Sequence, residues 1–513
     1  PDFEDLPDHV KYGNDVWNAA YGPNASVWGY EATATPDRPP FPLPRGKLTG
    51  GSSSVNGQVF FRGIPDDYDE WAAQGNDEWS FLNVLQNFRK SENDLTFGPD
   101  DFHGGDGPIP VRRYAKEDLM EVPTGFWDAC LAAGFPEALD QNHPEATGVG
   151  PRPLNNVDGI RMSTSLTYLS MARHRLNLTV RADVLAHRIL FEENRAVGIE
   201  AESGGEVFQV FGDEVILSGG AINSPQLLML SGIGPKQHLE QFGIALVKDV
   251  PGVGQNLQDH LTIITGFECT QPVTLHHLTQ PLSKLRVGVQ WLLTRSGIGA
   301  SNIWEMGGMV YGNTDAAHPN LQYHFTPVYS EWADRKLLLY PGYQLNCDQL
   351  RPLSRGQVKL HSADPRDRPA AHFNYLSHPQ DLKELIEALK VMQDILTQPA
   401  FDGFRGKRIT PAPEVTSDRE LADYVRATAD TDYHPCGTCK MGSDDQAVVD
   451  SELRVHGIDG LRVVDASVMP SIVSGNLNAP TQMIAERAAD YLLGKPPLSP
   501  EHPHFHFGDH SAT

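Results

Sequence analysis

Two side chains near the carboxyl end of the chain are of the types needed to move a proton off an oxygen. They are His434, in Tyr433-His434-Pro435-Cys436-Gly437-Thr438-Cys439, and Asn476, in Ser474-Gly475-Asn476-Leu477-Asn478. An imidazole titrates near neutrality and can accept a hydroxyl proton, whereas a carboxamide donates and accepts without changing charge. Hydride leaves a CH–OH carbon easily only once the hydroxyl proton is departing, so a base and a neutral dipole reaching one oxygen suit alcohol oxidation. Cys436 and Cys439 have redox or zinc spacing, but no second pair completes a metal site. The pair therefore reads as packing around His434, and no metal is expected.

A second stretch is suited to holding a ligand rather than reacting with it. Thr49-Gly50-Gly51-Ser52-Ser53-Ser54 leaves backbone amides unshielded, and Asn56-Gly57 follows between aromatics and arginine. Small residues let a diphosphate or a flat polar ring approach the backbone closely.

The elements that must position these groups follow from periodicity and turn chemistry. Glu214–Leu217 reads as a strand entering Ser218-Gly219-Gly220-Ala221, with a helix after it that has Ser224 at the N-cap and Pro225 at the first position. The same grammar recurs where Leu461–Asp465 runs into Asp465-Ala466-Ser467 and a helix begins at Pro480. Two strand ends opening onto helix amino termini form a crevice at the carboxyl edge of a sheet, where ligands bind in α/β proteins. Leu178–Val180, Ala186–Glu192, Ala196–Ala201 and Val207–Phe211 alternate with period two and predict consecutive strands. Residues 1–44 give no regular element. Thr262–Asp430 reads as a second domain, with strands at Leu321–Val328 and Gln357–His361 and an amphipathic helix from Pro379. Within it, Trp304, Glu305, Tyr323, Tyr329 and Trp332 supply aromatic faces and a carboxylate that could hold a cationic head group.

Composition bounds the reading. A net charge of −25 and a pI near 5.1 exclude nucleic acid, whose phosphates need a basic surface. Five cysteines are an odd number, so no disulfide framework is expected and a reducing compartment fits. No apolar run approaches the roughly 18–20 residues that span a bilayer, so a transmembrane segment is not expected.

Four separated motifs then resemble one family in the expected order. Leu48–Gly63, Gly219–Pro235, Pro251–His260 and the 432–493 stretch are similar to the signatures of the glucose-methanol-choline (GMC) family of FAD-dependent oxidoreductases. Ala300–Glu305, Tyr433–Pro435 and Gly475–Asn478 are most like its choline-dehydrogenase-like members. The resemblance implies an α/β fold, α+β overall, with a doubly wound FAD-binding domain interleaved with a substrate domain built on an antiparallel sheet. The expected division gives 1–63, 160–261 and 440–500 to the FAD domain, 64–159 and 262–439 to the substrate domain and cap, and 501–513 to a tail.

What the resemblance implies chemically is oxidation of a primary alcohol, choline-like or another small aliphatic or aryl alcohol, to the aldehyde by hydride transfer to flavin N5. His434 would be the base and Asn476 its partner, the amide donating to the alkoxide while its carbonyl accepts from substrate or from His434. Cofactor contacts would come from Leu48, Gly50, Gly51, Ser52, Asn56, Gly57, Val59, Val184, Asp465, Ala466, Asn478, Pro480 and Thr481. Trp304, Glu305 and Tyr433 would face the substrate. Val55 stands where some members carry a flavin-linking histidine, so non-covalent FAD is expected. Oxygen or a quinone-type molecule would reoxidise it, in the cytoplasm or at the periphery of a membrane. The family's opening Gly-x-Gly-x-x-Gly unit has no counterpart in residues 1–513 and is expected in a piece preceding them. The competing readings are a flavin-free ligand-binding protein and a lyase or decarboxylase on the same fold.

Overall fold

Alternation of polar and apolar side chains along two strands of the second domain decides which way its sheet faces. In the computed structural model, which describes residues 6–13, 16–312, 316–333, 336–500 and 502–506, this sheet has seven strands. Its order is Arg405–Thr410, Leu261–Cys269, Gly342–Gln349, Leu321–Thr326, Met306–Val310 and Gly148–Pro151, with Asp430–Thr431 also pairing on Leu261–Cys269. Every pairing in it is antiparallel. Tyr323, Phe325, Tyr343, Leu345 and Cys347 lie in one core with Leu385, Leu389 and Met392 of the helix Pro379–Thr397. With a two-residue period, the intervening Gln322, His324, Gln344, Asn346 and Asp348 must face the other way. That polar face is the floor of the functional cleft.

The other core is built on the parallel pair Val215–Leu217 and Leu461–Val463. Its helices are Gly220–Leu230 and Asn478–Leu492, and beside it lies an antiparallel sheet of Leu185–Glu192, Arg195–Ser203 and Glu206–Phe211. Leu178–Val180, expected as a strand, forms no ladder: alternation alone cannot make a strand where no partner lies alongside. The helix expected to start at Pro225, with Ser224 as its N-cap, starts at Gly220, so Pro225 lies inside it. Proline has no N–H for the carbonyl four residues back. The Thr438 hydroxyl takes that place and donates to the Ala221 carbonyl at 2.7 Å. Ser224 is not a cap; its hydroxyl donates to Asp465 Oδ2 at 2.5 Å and accepts from Gly219 N at 2.9 Å.

One further expectation is corrected. The described part of residues 1–44 is more regular than its composition suggests: Tyr30–Thr33 pairs with Phe41–Leu43 and, in parallel, with Ala370–His372. That pairing spans most of the chain and leaves no local signal. Tyr68, Trp71, Phe81, Val84 and Phe88 lie in the core of the parallel pair, with Val463, Met483 and Ile484. Cys436 and Cys439 are free, fully buried and part of that core, consistent with packing.

Candidate active site

The loop carrying His434 is pinned from below by one carboxylate. Asp259 Oδ1 accepts from His434 N at 2.7 Å, and Oδ2 accepts from Tyr375 Oη at 2.6 Å and from the Thr431 hydroxyl. Burial pushes the Asp259 carboxyl up to about 7 despite those bonds. Tyr433 sits at φ +64°, where a side chain costs roughly 1–3 kcal/mol. Its N–H donates to Thr431 Oγ1 at 2.8 Å and its carbonyl accepts from Arg45 Nη1 at 2.7 Å, which holds the turn. The turn presents the imidazole to the cleft.

Asn476 is fixed by another buried carboxylate. Asp67 accepts from Ser474 N at 2.8 Å, Ser474 Oγ at 2.9 Å and Ile64 N at 2.8 Å. Gly475, at φ +98°, lies so close to Phe61 that a Cβ would stand 3.0 Å from it. The loop therefore brings Asn476 Nδ2 to 3.0 Å from His434 Nε2. Arg152 Nη2 and Gln322 Nε2 each lie 3.4 Å from Asn476 Oδ1. Donors at the oxygen fix the amide's orientation, so its NH2 faces the histidine. This corrects the expectation that the carbonyl would accept from substrate or His434, because that oxygen is already taken.

The orientation also sets the histidine's tautomer. Accepting from Asn476 leaves Nε2 with the lone pair and Nδ1 with the hydrogen. Nδ1 is 3.0 Å from His260 Nδ1 and 3.3 Å from Asp432 Oδ2. Burial foremost, then His260, His324, Arg45 and Arg152, holds the His434 pKa well below its ordinary value. Burial likewise lowers His260 and His324 to about 3, so all three rings are neutral at physiological pH. Behind them, burial raises Asp348 to about 7 and Asp432 well above its usual range.

Arg152, His260, His324, Asp348 and Asp432 were not assigned roles from sequence. Asp432 stands two residues before His434, and Arg152 lies between Pro151 and Pro153, which are weak signals. The rest reach the site only through sheet register: His324 is opposite Asn346, and Asp348 is opposite Thr262.

One cleft of about 1950 Å³ is lined by His434 and Asn476 together with most of the expected ligand contacts: Leu48, Gly50, Gly51, Ser52, Asn56, Gly57, Val59, Val184, Asp465, Ala466, Asn478 and Thr481. Trp304 and Tyr433 line it as well. Pro480 does not, because it is buried in the first turn of its helix. Glu305 does not either; it is buried to one side with its carboxyl raised to about 7 by burial, near Ser301 and Arg112. Tyr323 lies in the core of the second domain, and the side chain of Trp332 is outside the described residues.

The lining suits a bulky cofactor. The cleft exceeds the roughly 300–1,000 Å³ of an ordinary ligand pocket and leaves room for a small substrate beside one. Gly51 and Gly220 are at φ +54° and +76° with open space where a Cβ would be, so a flat group can approach backbone. Asn478 Nδ2 is a buried donor with no hydrogen-bond partner among the described residues, at the start of a 15-residue helix, a place that favours an electron-rich group. The Asp465 carboxylate is not free for a ligand, since it accepts from Ser467 N, Gly220 N and Ser224 Oγ.

Comparison with known proteins bears on this geometry. Two family models described as GMC oxidoreductase match residues 27–262 and 352–485. The chain is 44% identical over 460 residues to an oxygen-dependent choline dehydrogenase of Photobacterium profundum, covering 89% of this chain and 81% of that one. It is 44% identical over 480 residues to the oxygen-dependent choline dehydrogenase of Vibrio vulnificus, covering 93% and 86%. Among solved structures, pyridoxine 4-oxidase from Mesorbium loti superposes with a TM-score of 0.86 at 28% identity, covering 97% of this chain and 93% of that one. A formate oxidase gives 0.87 at 26% identity, covering 96% and 92%.

Proposed function

Because the chain belongs to the GMC oxidoreductase family, we propose that it is an FAD-dependent oxidoreductase that oxidises a primary alcohol to its aldehyde, with His434 as the base. The observation that carries this reading is the 3.0 Å contact between Asn476 Nδ2 and His434 Nε2, with the amide oxygen held by Arg152 and Gln322. An alcohol that takes the place of this contact would donate its hydroxyl proton to the lone pair of Nε2 and accept an N–H of the amide at its oxygen.

FAD, when bound, supplies the hydride acceptor at N5. The 48–59 rim, Val184, the backbone of Asp465–Ala466 and the helix start at Asn478–Thr481 would hold it. His434 takes the hydroxyl proton at Nε2, and the hydrogen already on Nδ1 faces His260 and Asp432. The Asn476 amide donates to the oxygen as its charge grows, and Arg152 strengthens that donation by drawing on the amide oxygen. The buried surroundings keep water from competing for these bonds. A flavin-free binding role would leave this base and its oriented amide without a task.

The substrate class we propose is an alcohol with a cationic head. The curated relatives are choline dehydrogenases, and Trp17, Tyr21, Trp304 and Tyr433 give the cleft an aromatic wall. Trp17 meets Trp304 edge-on at 5.9 Å, and Tyr21 Oη donates to Tyr433 Oη at 2.5 Å. Aromatic faces attract a quaternary ammonium through their quadrupoles. Oxygen or a quinone-type molecule would be the final acceptor, in the cytoplasm or at the periphery of a membrane.

Anaerobic mixing of the flavin-loaded protein with choline and with its uncharged carbon isostere tests both parts. Choline is expected to bleach the flavin with the lower Kd, and His434→Ala to slow bleaching on the order of 10²–10⁴-fold. Bleaching by His434→Ala at the parent rate would remove His434 from this role. Equal affinity for the two alcohols would remove the cationic preference.

A further inference from the structure

The helix Pro281–Thr294 turns its apolar side to solvent. None of its residues is buried, whereas Leu282, Leu285, Val289, Leu292 and Leu293 are 83, 65, 45, 64 and 79% exposed. At about 100° per residue these five fall within one stripe roughly 100° wide. The opposite side, with half-buried Val287 and Trp291, is the one that packs: Trp291 meets Tyr12 edge-on at 4.9 Å, and its Nε1 donates to Asp158 O at 3.3 Å. The apolar stripe is therefore not an inward face left uncovered.

Charge on this segment is opposite to that of the molecule. The chain carries 66 acidic against 41 basic residues, yet 269–304 contains no Asp or Glu and includes Lys284, Arg286 and Arg295. All three are exposed, and no described acidic side chain forms an ion pair with them. Arg286 borders the stripe, while Lys284 and Arg295 fall on the polar side, Arg295 over the Trp291 ring at 4.1 Å; an apolar stripe backed by basic residues is what an in-plane interfacial helix requires. Its 14 residues are fewer than the roughly 20 needed to span hydrocarbon.

We propose that the helix Pro281–Thr294 docks the protein on an anionic lipid bilayer, the leucine stripe entering the headgroup boundary, Arg286 at its edge meeting lipid phosphates, and Lys284 and Arg295 adding positive charge behind it. A second copy related by a two-fold axis would set the same cations against one another, which disfavours that occupant. The helix packs on Ile298–Ala300, from which the chain runs directly to Trp304 in the cleft wall. The docked face thus adjoins the substrate side of the site. The proposal does not depend on which alcohol is oxidised.

Cosedimentation of the flavin-loaded full-length protein with phosphatidylcholine vesicles, with and without about 30% phosphatidylglycerol, tests it. Binding is expected to be at least fivefold stronger with phosphatidylglycerol. Leu285→Asp/Leu292→Asp should lower it tenfold or more, and Lys284→Glu/Arg286→Glu should abolish the preference for anionic lipid. Both variants should keep parental turnover with a water-soluble dye as acceptor, which separates lost docking from lost folding or chemistry. The proposal is overturned by failure to bind phosphatidylglycerol vesicles, or by parental binding in the leucine variant. A dimer that this variant converts to a monomer, without vesicle binding by the parent, would assign the stripe to a second copy and equally overturn it.

Discussion

Arg152 controls the reacting pair without touching the histidine. Its guanidinium is fully buried, with Nε and Nη1 making no hydrogen bond among the described residues and Nη2 on the Asn476 oxygen. Burial lowers its pKa only to about 10, with Asp432 and Asp348 opposing the shift, so it stays charged. It therefore acts twice: it orients the amide, and as a nearby cation it helps keep His434 neutral. The sign of the pH dependence follows. A depressed His434 pKa keeps the base form present to low pH, so the acid limb of kcat/KM belongs below the ordinary histidine value of about 6.5. Replacing Arg152 with Met removes one depressing charge, and the limb should move to higher pH. Losing a charged hydrogen bond to the amide should also slow flavin reduction roughly 10–100-fold, on the order of 1.5–3 kcal/mol, with little change in substrate Kd. A slower variant whose pH profile is unmoved would mean that Arg152 is only part of the packing.

At the scale of elements, the helix Gly220–Leu230 connects both halves of the cleft, and its weak point is Pro225. The Thr438 hydroxyl occupies the place of the missing N–H and joins the His434 loop to that helix. Thr438→Val should lower stability by about 1–3 kcal/mol, since it leaves the Ala221 carbonyl buried and unbonded. In a Pro225→Ala background the new N–H can take that carbonyl, so the same change should cost distinctly less. Equal losses in a double-mutant cycle of thermal melts would disprove the compensation. This helix also shows what could and could not be read from the chain. Gly219–Ser224 marks a strand-to-helix turn by local chemistry, as do Gly50–Ser54 and Gly475–Asn478, and all three line the cleft. Local chemistry misplaced the start of the helix because the group that excuses Pro225 is Thr438, 213 positions on. It missed Arg152, His324 and Asp348 for the same reason. Each is an ordinary residue on or beside a strand, and only the sheet's register brings it to His434. Glu305 shows the opposite error: adjacent to Trp304 in the chain, it points elsewhere, since neighbouring residues of an extended segment face opposite ways.

For the molecule as a whole, the net charge of −25 acts on whatever approaches the cleft. An acidic protein enriches cations near its surface, and salt reduces the effect because the Debye length falls from about 10 Å at 0.1 M to about 3 Å at 1 M. The site itself adds little to that attraction. Asp348 and Asp432 are pushed toward neutrality and Arg152 is positive, so selection by charge must come from the surrounding field and the aromatic wall. A cationic alcohol should therefore lose kcat/KM as ionic strength rises, through a slower approach, while kcat stays level. The uncharged isostere should show no such slope, because the field does not act on it. Steady-state rates for the two alcohols between low and molar salt would separate these cases. Parallel slopes would mean that salt alters the protein rather than the encounter, and the attraction by net charge would have to be given up. The same field restricts how the protein can sit on an anionic surface: most of its face is repelled, which leaves the acid-free 269–304 segment as the side that can turn toward it.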